Sequence, residues 1–61
     1  MFQVGDLVKV VDKGIDMEGV EGLLVVNDVL NVNHWTGSPI LEVRNSDGDY
    51  YGIAGNALVA V

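Results

Sequence analysis

Most of the side chains here that are equipped for chemistry are carboxylates: nine Asp and Glu stand against three Lys and Arg, one His and no Cys. Ser38 and Ser46 have only His34 as a base, with nothing fixing its geometry, and no thiol replaces them, so nucleophilic catalysis lacks its parts. Asp47 and Asp49 bracket a glycine in Asn45-Ser46-Asp47-Gly48-Asp49, where their expected work is to shape a turn. A small chain offers these carboxylates no shielded cleft in which one acid could be set against the other. The same stretch misses the ligand count and spacing of a calcium loop, and no glutamate closes it. One histidine without thiols does not furnish four zinc ligands. Gly19-x-x-Gly22 has neither the lysine nor the helix of a phosphate loop. The chain is therefore expected to be no enzyme and to use no metal or cofactor.

What remains is recognition. Asp12, Asp16, Glu18 and Glu21 crowd one long loop, and Asp47 and Asp49 mark another. With a net charge of −6, this rim suits a basic protein partner and disfavours direct contact with nucleic-acid phosphates. The rim could also imitate the phosphate spacing of DNA and occupy the site of a DNA-binding protein. Plain solvation of a greasy small domain is the third reading. Trp35, in the glycine- and proline-containing loop 34–39, either anchors a partner or folds over the end of the core. His34 beside it reads as a solvated imidazole. Tyr50 and Tyr51 must face opposite ways on a regular strand. Tyr50 is expected outward, free to meet a partner, and Tyr51 inward, in phase with Ile53; alternatively both serve only cross-strand pairing. The candidate partner-binding residues are thus Trp35, Tyr50, Asp12, Asp16, Glu18, Asp47 and Asp49.

The elements that must position these residues are short and extended. Valine and leucine over 7–11 and 23–26 favour strands, and a glycine-bearing loop separates the two runs. Alternation buries Val8 and Val10 and leaves Lys9 outside with Leu7 and Val11. Ile15 and Met17 are expected to fold back over one mouth of a barrel. Residues 21–33 form either one long bent strand or two strands hinged at Asn27-Asp28; the abundance of valine and the missing 3.6 period argue against a helix. After the loop comes a strand over 40–45, a hairpin at Asp47-Gly48, a returning strand over 50–53, a helical turn over 54–57 and a last strand over 58–61. Leu7, Val11, Ile40, Val59 and Val61 fall on outward phases and would make a patch suited to self-association, unless the register slips by one and reverses every face. Residues 1–61 are expected to form a single domain. The start of the chain lacks the basic and apolar segments of a signal peptide, and no apolar run approaches spanning length, which with the absence of cysteine points to the cytoplasm.

Gly5-Asp6-x-Val8-Lys9-Val10, followed by Gly19-x-x-Gly22-x-x-Val25, resembles the KOW motif, a segment of SH3-like barrels in ribosomal and transcription-elongation proteins. The order of a DG hairpin, the Tyr50-Tyr51 strand, a short helical turn and a final strand is similar to that of miniature SH3-like proteins. Residues 18–25 and Trp35-Thr36-Gly37-Ser38-Pro39-Ile40 are similar to the variable chain of ferredoxin–thioredoxin reductase, and the photosystem I ferredoxin-docking subunit shares the build. The resemblance implies an all-β fold, a small SH3-like five-stranded β-barrel with a short helical turn before the last strand. In its KOW form it implies association with RNA or with the transcription or translation machinery. KOW domains on RNA present basic residues, which here amount to Lys9, Lys13 and Arg44.

The sequence therefore supports first a protein-binding adaptor or regulator, of a size and charge that suit a small viral (phage) or accessory bacterial protein. A KOW-type component and an acidic nucleic-acid mimic are the alternatives. If Trp35 is an anchor, Trp35→Ala abolishes partner capture while the melting temperature stays nearly unchanged. A fall of several degrees with capture intact identifies the ring as core.

Overall fold

The computed structural model describes residues 2–15, 17–32 and 39–61. Five strands carry the fold: β1 (Leu7–Val10), β2 (Leu24–Val32), β3 (Pro39–Arg44), β4 (Tyr50–Ala54) and β5 (Leu58–Ala60), with a 3-10 turn at Gly55–Ala57 between the last two. They form one antiparallel sheet in the order β4-β3-β2-β1-β5. The described ladder ends on β4 and β5, and no pairing between those two is among the described ones. No helix among the described residues is long and apolar enough to cross a membrane.

Strand alternation sets the core. Val8, Leu24, Val26, Leu41 and Val43 are fully buried on the inner face, joined by Val20, Ile53, Ala57 and Leu58. Each fully buried aliphatic side chain contributes about 1.5–3 kcal/mol relative to exposure, and these five form the centre of cohesion. Val10, Ile15, Phe2 and Tyr51 pack against this cluster half-buried. Ile15 thus covers the core as expected, but Met17 does not: it is 43% exposed. A loop closed by its own backbone turns satisfies one apolar side chain at the core and leaves the next facing water.

Residues 24–32 form one strand and not two, yet its pairing with β3 is irregular. The register shifts between Val26 and Asp28 and again between Val29 and Asn31, so Asn27 and Leu30 each fall outside the ladder register with β3. Such bulges bend and twist a strand without ending it. The hinge expected at Asn27-Asp28 is therefore a bulge, and the Asn27 amide donates to the Glu42 carboxylate across it at 2.6 Å. Pro39 opens β3, the place where a strand tolerates a residue lacking an N–H.

The long connection between β1 and β2 is tied down at Gly19, whose φ of +96° lies in the left-handed region. A Cβ placed there would run into the Tyr51 hydroxyl and come within 2.9 Å of the Asn45 amide nitrogen. Gly5 has nearly the same φ, +95°, but open space around it. Gly5→Ala is expected to cost about 1–2 kcal/mol through backbone strain alone. Gly19→Ala should cost about 1 kcal/mol more, because the Asn45 hydrogen bond is displaced as well. Thermal melting of the two variants side by side measures the difference; equal losses would show that nothing depends on the crowding at Gly19.

Candidate functional site

Two polar contacts join the β1–β2 connection to the β3–β4 hairpin, one at its turn and one on β4. The Asn45 amide donates to the Gly19 carbonyl at 3.0 Å, and the Tyr51 hydroxyl donates to the Glu18 carbonyl at 3.1 Å. Asn45 is itself buried, and its side-chain oxygen accepts the backbone N–H groups of Asp47 at 3.0 Å and Asp49 at 2.9 Å. The turn is closed further by Asn45 N–H to Asp49 carbonyl, 3.0 Å, and Gly48 N–H to Asn45 carbonyl, 3.1 Å. An asparagine that accepts from the turn while donating elsewhere uses both ends of its amide.

These contacts bring together carboxylates that are far apart in the chain. Glu18 and Glu21 come from the loop, Asp47 and Asp49 from the turn, and all four are exposed. The Glu21 carboxylate also accepts from Gly19 N–H at 3.0 Å, which orders the loop on its own side. Tyr51 reports the cluster. Its ring packs half-buried against the core while its hydroxyl reaches Glu18. Desolvation raises its pKa above the ordinary value of 10.0, and the negative charges of Asp49, Glu21, Asp47 and Glu18 add to the rise.

Tyr50 faces outward at 54% exposure and Tyr51 inward, the arrangement that alternation implies. Tyr50 closes a cross-strand row on the outer face: Leu7 pairs with Val25, Val25 with Arg44, and Arg44 with Tyr50. Asp12 has a different task. Its carboxylate accepts Gly14 N–H at 2.8 Å and holds a local turn, and with Lys13, Glu18 and Glu21 it lines a depression along the loop. Of the other candidates, Glu18, Asp47 and Asp49 stand together beside Tyr51, whereas Trp35 and Asp16 lie outside the described residues. Leu7, Val11, Val59 and Val61 are exposed, as their phases imply. Ile40, expected outward with them, is half-buried where it pairs with Ala54, so it adds little to an apolar patch.

Glu21 keeps the place in the acidic rim that its sequence position implies, whereas the organising role of Asn45 emerges only in the fold. A local signal for Asn45 existed: Asn two and four residues before turn N–H groups is the Asx pattern. No local signal pointed to Gly19 as its second partner. Among the described residues no group of three or more His, Asp or Glu is placed to hold a metal ion. The arrangement sets exposed carboxylates around a turn whose backbone is ordered by Asn45. No family model, curated protein or solved structure matches the chain.

The raised pKa of Tyr51 has a signed consequence. In the unfolded chain the phenol ionises at its ordinary value, while the folded form keeps its proton to higher pH. The contribution to stability is thus complete below about pH 10 and is lost as pH rises through the folded pKa. Tyr51→Phe should lower the melting temperature at neutral pH, by removing the bond to Glu18, and flatten the alkaline fall. Melting curves from neutral to alkaline pH check both; an alkaline fall as steep as in the native chain would assign it to other groups.

Proposed function

We propose that this chain is a non-enzymatic protein-binding module, an adaptor or regulator, that meets a basic protein through its acidic, aromatic-bearing surface. The observation that carries this reading is that the Tyr51–Glu18 and Asn45–Gly19 hydrogen bonds tie the loop bearing Glu18 and Glu21 to the hairpin bearing Asp47 and Asp49. Glu21 and Asp47 thereby line one depression, with exposed Tyr50 on the adjoining strand. Gathering like charges costs energy, and the buried Asn45 amide holds them together nonetheless. A negative potential at such a point steers basic partners and raises their rate of association.

An SH3-like barrel is the architecture that fits. Pairing of β1 with both β2 and β5, a β3–β4 hairpin and a 3-10 turn before β5 all support it, with the curvature that bulged β2 supplies. Action in the cytoplasm fits a chain without cysteine.

The test is capture of basic proteins from the native host on immobilised chain, comparing Tyr50→Ser and the double variant Asp47→Asn, Asp49→Asn. Both substitutions leave the backbone N–H groups of the turn on Asn45, so melting temperatures should hold. Capture of the same protein is expected to fall about tenfold or more in each, the scale of a lost hot-spot residue. Undiminished capture by both variants would remove this surface from the interaction. RNA or DNA retained on filters at low salt would favour the KOW-type reading instead.

A further inference from the structure

Two open depressions adjoin at the loop-to-turn junction and together form a groove with two lobes. Its apolar lobe, about 410 Å³, has Leu7, Leu23 and Val25 as floor and wall, with Arg44 at the rim. Its acidic lobe, about 420 Å³, is lined by Glu21 and Asp47 over the Gly19 and Gly22 backbone. Leu23, Asn45 and Ser46 line both, so the lobes meet there. Leu23 is 56% exposed and Leu7 47%, which leaves two leucines in water next to two carboxylates.

We infer that this groove takes an extended segment of a partner protein in which basic side chains are followed by apolar ones. The basic side chains lie over Glu21 and Asp47, and the apolar ones cover Leu23, Leu7 and Val25. The inference rests on the protein-binding reading above and names the site and the partner's chemistry. Charge complementarity selects the occupant. A second copy of this chain would bring another −6 against the first, and a nucleic acid would bring phosphates to the same carboxylates. A purely basic segment would leave the leucines wet, and a purely apolar one would leave the carboxylates unmatched. The floor is preformed because Asn45, at the meeting point, is fixed on both sides by hydrogen bonds.

The experiment uses the full chain and a labelled synthetic peptide of two arginines followed by alternating leucine and serine, read by fluorescence anisotropy. A peptide with the leucines replaced by serine and one with the arginines replaced by glutamine serve as partners in the comparison. Binding of the first peptide is expected to exceed that of either other by about tenfold and to weaken as salt rises. Leu23→Ser, and separately the pair Glu21→Gln, Asp47→Asn, should each reduce it about tenfold; Gln keeps an oxygen for Gly19 N–H, and melting curves confirm that both variants fold. If binding survives these variants but is lost in Tyr50→Ser or Asp49→Asn, the groove is not the site and the protein-binding reading stands. If sedimentation shows a dimer that Leu23→Ser dissociates, the occupant is a second copy and the inference falls. If no peptide binds and no basic protein is captured either, both readings fall together.

Discussion

The structure depends on one buried amide. Asn45 sits where a hairpin turn and a long loop meet, and burial there obliges every polar atom of its side chain to find a partner. It accepts from the turn at Asp47 and Asp49 and donates to Gly19 across the gap. Neither glutamine, a methylene longer, nor aspartate, without a donor, can serve both sides at these distances. The loop reaches the turn only because Gly19 leaves room and adopts a φ that residues with a Cβ resist. Local conformational freedom and a long-range hydrogen bond are thus two halves of one constraint.

The consequence is electrostatic. A loop of mixed polar composition, left to itself, would move its glutamates away from the aspartates of the turn. Held at Gly19, and at Glu18 through the Tyr51 hydroxyl, it keeps them near. The core on the other side of Tyr51 is indifferent to this, since its cohesion comes from Val8, Leu24, Val26, Leu41 and Val43. Cohesion and recognition are therefore separable: the inner face keeps the sheet together, and the junction at its end arranges charge.

Much of the sheet was legible from the sequence because its signals are local. Alternation placed Val8, Leu41, Val43 and Ile53 inside and Tyr50 outside, and Asp47-Gly48 marked the hairpin. The helical turn before the last strand followed from small and turn-forming residues at 54–57. Other features escaped because their causes lie elsewhere in the chain. Residues 19 and 45 are 26 positions apart, and nothing near either announces the other. Met17 and Ile15 have the same apolar character, and only the course of the loop decides which reaches the core. Ile40 obeyed its phase but lost exposure to its neighbours on the sheet. The carboxylates were visible as a composition; that Glu21 lines one depression with Asp12 and another with Asp47 needed the fold.

The paired irregularities of β2 have a meaning that each alone would not. One unpaired residue reverses which way all later side chains point, and a second restores the original sense. Between the offsets at Asn27 and Leu30, Asp28 stands opposite Glu42 on the watery side and Val29 opposite the buried Leu41, although Val29 itself stays 43% exposed. An unbroken ladder would exchange them and drive a carboxylate toward Leu41 and Val43. The strand thus carries a short inverted phrase inside an otherwise regular rhythm, which lets a charged residue sit mid-strand without entering the hydrocarbon.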